Sequence, residues 1–509
     1  MARDRGRGRV VMLVDNFITG DSRVQKQAAS MAAAGWDVVL VGRSRDSKLR
    51  RSTIGEARVL QVPMALPLKR RRHEYRRAPL RSPLAYPAGP LTDYRLQRTR
   101  AAVVDLQSRI DLAGPSASPA ARARRSALGA RLAGARVRQR WVELRADRTR
   151  ALLEARRAMT SPLDRLTTAF WTQTMGDRAW RRLDPSLWDW EVAYGPQVDR
   201  LKPDIIHAND FRMLGVAIRG ARRLRAQGRK VSVVWDAHEF LPGIKPWHDH
   251  PRWHVAQIAN EKEYGRHADV VTTVSESLAS LLVEQHGLTE RPRVVLNAPT
   301  ASDGLDRDVV GLRDDLGLDE DTPLMVYSGL AAPQRGLMLM VEALPELPGV
   351  HAAFVVPAPD NAFVQSLLER ARELGVDGRV HTRPYVAYDE VVPYLRSADL
   401  GVIPIDHWPN HEIALITKFF EYSHARLPLV VSDVEAMGDL TRETGQGEVF
   451  TAGDAGALAD AVRAVLDDPK RYRAAYDEPG RLDSWTWEAQ AVVLDEVYAS
   501  VLPRARKAR

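Results

Sequence analysis

The 509-residue chain is too long for one small module, and at roughly 100 to 200 residues per domain it predicts two or three domains. Its 45% apolar and 27% charged residues exclude wholesale disorder, and the absence of cysteine excludes disulfides, thiolate metal sites and cysteine nucleophiles. No apolar run approaches the roughly 18 residues a membrane span needs, and Met1 to Val14 passes from a charged stub straight into a short strand; the expectation is a cytoplasmic protein without a secretory signal.

From Arg9 the pattern reads strand (Val10 to Val14), amphipathic helix (Ser22 to Ala34), Gly35 as the stop, and a second strand (Asp37 to Val41). Alternation resumes after Lys202, with strands at Asp204 to His207, Val231 to Trp235, Asp269 to Val274 and Arg293 to Leu296, and helices at Phe211 to Ala226 and Ser275 to Gln285. A polar linker, Asn297 to Thr322, precedes strands at Leu324 to Ser328, Ala352 to Val356, Arg379 to Thr382, Leu400 to Pro404 and Leu429 to Ser432. The fold class predicted is α/β: two doubly wound, Rossmann-like domains with parallel sheets, whose ligands would bind at the strands' carboxyl ends. The expected division is residues 1–65 and 191–300 for the first domain, 301–484 for the second and 485–509 for a returning helix and basic tail.

Residues 66–190 interrupt this alternation and read as an inserted helical region, with an Ala/Gly/Ser/Pro breaker at Ala113 to Ala120 and a long helix from Ala121 to Met159 bearing Leu128, Leu132, Val137, Trp141 and Leu144. The charge of the chain concentrates there. The net charge is +9, yet residues 69–182 carry 27 basic and 9 acidic side chains, so the remainder is mildly acidic. Such a segment suits an anionic partner, for which a membrane face is the better expectation than nucleic acid, since no nucleic-acid motif accompanies it. Lys69 to Arg72 and the aromatics Trp141, Phe170, Trp171 and Trp180 would be its anchors. A solvated, arginine-rich helical surface is the competing reading.

The most informative stretch is Asn410 to Tyr422, followed by Pro428 and the strand Leu429 to Ser432. Amides at a helix start can bind phosphate, Lys418 adds a cation, and Glu421 one turn on can accept hydrogen bonds from ribose hydroxyls. Phosphate beside ribose is a nucleotide. This stretch resembles the C-terminal signature of the retaining GT-B glycosyltransferases of family 4. Glu421 falls on the ribose-binding glutamate of that family's E-x7-E motif, whereas Ile413 occupies the place of the first glutamate and Glu412 lies one residue early. Other segments follow in the family's order: Gly20 to Val24; His207-Ala208-Asn209-Asp210; Trp235 to Glu239; Tyr327 to Leu330; Gln334-Arg335-Gly336; and Ser484 to Glu488 before a final helix.

The resemblance implies that Gly329, Arg335, Lys418 and Glu421 bind the donor nucleotide, that His238 and Glu412 meet the donor sugar, and that Asp15, Gly20, Asp21, Arg23, Asp210 and Glu239 line the acceptor side. It implies catalysis by His238, Arg335 and Lys418, with no metal and no cofactor beyond the nucleotide-sugar donor. The acceptor would be a glycan, a lipid-linked or a small molecule, in envelope glycan, glycolipid or natural-product synthesis. A peripheral place at the inner face of the plasma membrane would suit it. Simpler roles compete: His238 could merely bind Asp236 or Glu239 and hold a loop, and Asp15, Asp21 and Asp210 could be helix N-caps. His248-Asp249-His250 reads as a surface loop, not a metal site. A nucleotide-sugar epimerase on the same fold and a non-catalytic anion-binding protein are the alternative functions.

Overall fold

The computed structural model describes residues 7–66, 68–69, 83–86, 91–113, 118–244, 251–301, 309–387 and 389–502. The chain divides into two compact units: one of Met1–Met64, Trp190–Lys245 and Asn260–Arg509, the other of Ala65–Asp189 and Pro246–Ala259.

The larger unit holds two sheets, each forming the centre of a lobe. In the first, β1 (Arg9–Leu13), β2 (Asp37–Arg43), β3 (Arg50–Ile54), β4 (Ala57–Val62), β5 (Ile205–Asn209), β6 (Ser232–Ala237), β7 (Val270–Thr273) and β8 (Arg293–Val294) take the order β3-β4-β2-β1-β5-β6-β7-β8. All neighbours are parallel except the β3–β4 hairpin. β1 and β5 are buried almost throughout, as strands covered on both faces must be. The strand order reverses direction at β1/β5, and that switch point opens a crevice at the carboxyl ends.

The second sheet comprises β9 (Leu324–Ser328), β10 (His351–Val356), β11 (Val380–Pro384), β12 (Leu400–Ile403), β13 (Leu429–Ser432) and β14 (Gly447–Phe450), all parallel, in the order β11-β10-β9-β12-β13-β14. Its switch point lies between β9 and β12. Leu337, Met340, Leu458 and Val462 cover one face, and Phe419, Phe420, Tyr422 and Trp485 cover the other.

The helix Trp487–Val501 returns to the first lobe, where Leu494, Val497 and Tyr498 join its core. Trp487 Nε1 donates to Ser30 Oγ at 2.8 Å, Trp36 Nε1 to Asp495 at 2.7 Å, and the Tyr498 hydroxyl meets His207 Nδ1 at 2.5 Å. The lobes meet through Phe240 N donating to Asn410 Oδ1, Ser275 Oγ to the Ile413 carbonyl, and Asn297 Nδ2 to Thr417 Oγ1, at 2.6–2.9 Å.

The smaller unit is helical, with helices at Leu91–Leu112, Pro119–Ala158 and Pro162–Met175. The buried stripe of its 40-residue helix runs through Leu132, Val142, Ala146 and Leu152, while Val137, Trp141 and Leu144 are exposed. Of the expected aromatic anchors, Trp141 and Phe170 are exposed, but Trp180 is wholly buried, packed 5.0 Å from Trp188, so it is no anchor. Arg70 to Arg72 and His248 to His250 lie outside the described residues.

Candidate active site

The chemistry of the second lobe gathers where β9 ends. Gly329 has φ +120°, a conformation open to glycine, and its amide donates to the Val355 carbonyl. A Cβ here would stand 2.8 Å from Lys418 Nζ, so the missing side chain is the space the ammonium occupies. Lys418 is the second residue of the helix Thr417–His424, whose start has no side-chain cap. The Phe419 amide donates to the Ile416 carbonyl, which leaves the Thr417 and Lys418 amides of the first turn for an anion. Lys418 Nζ lies 4.8 Å from the Tyr327 ring centre, and burial together with the adjacent Arg335 lowers its pKa to about 7, against the opposing pull of Glu421.

Arg335 is placed by Gly336, whose φ is +67° and whose Cβ, if present, would collide with the Pro404 carbonyl at 1.7 Å. Among the described residues Arg335 Nε is buried without a hydrogen-bond partner. His411, absent from the sequence reading, joins this cluster: its Nδ1 faces the Asp406 carbonyl at 2.7 Å, and burial, aided by Arg335, lowers its pKa. Arg335 is thus within electrostatic reach of both His411 and Lys418, the latter in the first turn of an uncapped helix, with the half-buried Glu421 one turn below.

The first lobe is organised by Asp236, at the end of β6. This fully buried carboxylate accepts from Arg23 Nε (3.0 Å) and Nη2 (2.9 Å), Gln27 Nε2 (2.6 Å) and Thr272 Oγ1 (2.9 Å), and lies 2.8 Å from His238 Nε2. Burial alone would raise its pKa, yet Arg23 and His238 hold it well below the ordinary value. Asp236 fixes Nε2 of His238 as the protonated nitrogen and leaves Nδ1 on the other side of a ring that is 23% exposed. Burial lowers the pKa of His238, but Asp236 and Asp210 outweigh it and the net shift is upward.

The structure separates the remaining sequence-named residues. Arg23 is buried, and its third contact is Nη1 to the Val295 carbonyl at 2.8 Å. Asp21 is an N-cap that accepts from Val24 N. Asp15 pairs with Arg212. Asp210 is the first residue of its helix, in a left-handed conformation (φ +64°), and burial together with Glu239 and Asp15 pushes its pKa up to about 7. Glu239 is shifted upward mainly by burial and senses both Asp15 and Arg335, so groups of the two lobes lie within electrostatic reach of one another. Gly20, Asp21 and Arg23 share a cleft of about 400 Å³ with Asn16, Phe17 and Asn297. Glu412 is committed elsewhere, accepting from the Glu435 amide at 2.9 Å and lying 2.7 Å from His407 Nδ1. Among the described residues no cluster of three or more His, Asp or Glu is placed to hold a metal ion.

Paired parallel sheets, each with its polar groups at the strands' carboxyl ends and bridged by a returning C-terminal helix, define the GT-B class of glycosyltransferases. Residues 322–468 match the family described as "Glycosyl transferases group 1" and residues 174–298 match "Glycosyltransferase Family 4". The chain belongs to these group 1, family 4 glycosyltransferases. It is 28% identical over 209 residues to a D-inositol 3-phosphate glycosyltransferase of Xylanimonas cellulosilytica, covering 40% of this chain and 48% of that protein. It is 25% identical over 322 residues to the D-inositol 3-phosphate glycosyltransferase of Nocardia farcinica, covering 55% and 70%. The first of these matches thus spans about half the length of the relative. A sucrose-phosphate synthase structure from Thermosynechococcus elongatus superposes with a TM-score of 0.59 at 15% identity, over 97% of this chain and 99% of that one.

Proposed function

We propose that the chain transfers a sugar from a nucleotide-sugar donor to an acceptor hydroxyl, with retention of anomeric configuration and without a metal. One observation carries this reading: Lys418, seated against Gly329 on an uncapped helix start, lies within electrostatic reach of Arg335, whose Nε has no hydrogen-bond partner among the described residues, with Glu421 one turn away. Half-buried cations that form no ion pair among the described residues suit a pyrophosphate that gains charge as the sugar departs. Glu421 would hold the ribose, and His238, oriented by Asp236, would offer Nδ1 to the donor sugar. Attack by the acceptor hydroxyl on the anomeric carbon breaks the bond to the leaving phosphate, and that phosphate takes the hydroxyl proton. Asp15, Asp210 and Glu239 would receive the acceptor's other hydroxyls.

The smaller unit would place the enzyme on an anionic membrane face, supported by its basic charge and by exposed Trp141, Leu163, Leu166 and Phe170. No helix among the described residues is long and apolar enough to cross a membrane. The deciding experiment incubates the protein with UDP-, GDP- and ADP-sugars and a panel of polyol and lipid acceptors in excess EDTA. Transfer with retained configuration is expected. Isomerisation of the donor, or dependence on added divalent metal, would overturn the reading.

A further inference from the structure

The loop after β1 is built with unusual firmness for a surface turn. Ile18 has φ +71°, a conformation that a β-branched residue adopts only under constraint. It is buried, its amide donates to Asn16 Oδ1 at 2.7 Å, and its carbonyl accepts from Asp21 N and Gln25 Nε2. Asn16 Nδ2 donates to Asp21, the Asn16 carbonyl accepts from Arg43 N at 2.7 Å, and the Phe17 carbonyl accepts from Gln61 Nε2 at 3.0 Å. Even β2 is shaped to this loop, since a Cβ on Gly42 would fall 2.4 Å from Ile18 Cγ1. The product of all this fixing is one half-exposed aromatic ring, Phe17, at the edge of the cleft that it lines with Asn16, Gly20 and Asp21.

Two guanidinium groups lie against that ring: Arg43 at 4.9 Å and Arg45 at 5.4 Å from its centre. Neither forms an ion pair among the described residues, and Arg43 Nε is buried without a hydrogen-bond partner. The nearest acid in sequence, Asp46, is committed to Arg50 and Ser44. Two like charges on one ring repel each other, and each keeps its fork of donors unspent. Tyr194, whose hydroxyl donates to the Val14 carbonyl, senses both Asp15 and Arg43, so Arg43 and one of the carboxylates assigned to the acceptor act on the same hydroxyl.

We propose that Arg43 and Arg45, stacked on Phe17, form a second anion site at the carboxyl end of β2, which takes a phosphate monoester or phosphodiester carried by the acceptor. The acceptor assignment rests on the transferase reading above; the anion site itself does not. The phosphate binds the two guanidinium forks at the cleft rim. The hydroxyl-bearing part of the same molecule then reaches toward Asp15, Asp210 and Glu239, and the donor pyrophosphate occupies its separate site at Arg335 and Lys418.

The test titrates the full chain with sn-glycerol 3-phosphate by calorimetry, and measures co-sedimentation with phosphatidylglycerol or phosphatidylcholine vesicles, in wild type, R43Q/R45Q and R335Q/K418Q. Loss of charge-assisted bonds in R43Q/R45Q should weaken glycerol phosphate by about tenfold or more, with R335Q/K418Q close to wild type. UDP or GDP binding should show the opposite pattern, and its failure to do so would count against the donor site alone. The single variant R45Q, at an exposed position, guards against misfolding of the double variant and should weaken binding severalfold. Glycerol phosphate binding places the phosphate on a soluble acceptor. Binding of phosphatidylglycerol vesicles alone, lost in R43Q/R45Q, places it on a lipid. The proposal is overturned if R43Q/R45Q weakens neither probe's binding relative to wild type, the share of vesicle binding supplied by Trp141 and Phe170 being common to both proteins.

Discussion

On the proposed function, Lys418 would tie donor binding to the uptake of a proton. In the empty cleft its pKa is about 7, so near pH 7 about half of the molecules lack the ammonium charge. A pyrophosphate at Arg335 and the helix start brings negative charge beside the amine and raises its pKa back toward the usual lysine value of about 10.4. Binding should therefore take up roughly half a proton at pH 7 and almost one at pH 8.5. The nucleotide's own last phosphate ionises near pH 6 and adds nothing above neutrality. Between pH 7 and 9 the affinity for UDP or GDP should fall about fiftyfold, about fivefold over the first unit and about ninefold over the second, because the ammonium must be regenerated before it can bind. Calorimetry in buffers of different ionisation enthalpy measures the uptake directly. Lys418→Arg, charged throughout this range, should bind without it and with a flat pH profile. Equal proton uptake in the two proteins, or a flat wild-type profile from pH 7 to 9, would show that Lys418 stays charged in the empty site and that the reasoning from burial is wrong.

Glu421→Ala should leave the urea midpoint near wild type and weaken nucleotide binding by roughly 1.5–3 kcal/mol, the worth of a charged hydrogen bond, measured by calorimetry. Asp236→Ala strands Arg23 in the core and should cost about 3–5 kcal/mol in urea unfolding. Because the folded pKa of Asp236 is depressed, its stabilisation is present above about pH 4 and lost as pH falls; Asp236→Asn should flatten this acid limb of the stability curve. Phe170→Ala with Trp141→Ala should reduce co-sedimentation with anionic vesicles while leaving nucleotide affinity unchanged; undiminished recovery would return the smaller unit to a solvated role.

The parallel strands were legible because a strand covered on both faces is written as a continuous apolar run: β9 and β13 have the bounds expected from Leu324 to Ser328 and Leu429 to Ser432. The hairpin β3–β4 escaped, since Arg50–Ile54 is almost wholly exposed and carries two arginines and two hydroxyls with no apolar alternation. β14 escaped because Gly447–Phe450 is short and includes Gly and Glu. In the site, motif residues at strand ends could be named from the chain, but their partners could not. That Asp236 collects Arg23, Gln27 and Thr272, or that His411 stands near Arg335, depends on five strands and the segments that follow them being brought together. Trp180 shows the converse: a tryptophan among arginines reads as an anchor until its neighbour Trp188 is known.

The helix Trp487–Val501 also bears on how the protein is made. It fills the core of the first lobe and sets Tyr498 against His207, whose other nitrogen lies 3.8 Å from the Asp236 carboxylate that orients His238. A ribosome must therefore translate the whole second lobe before the first can close its hydrophobic interior. Until then the nascent first lobe exposes the surface that Leu494, Val497 and Tyr498 will cover, and its histidine lacks part of its support. The second lobe can complete its own core while the first waits, so on the proposed function the donor side would be ready before the wall that carries His238. A release from translation short of residue 487 would leave a chain with a formed second sheet and an unfinished first one, a natural substrate for chaperones and proteases.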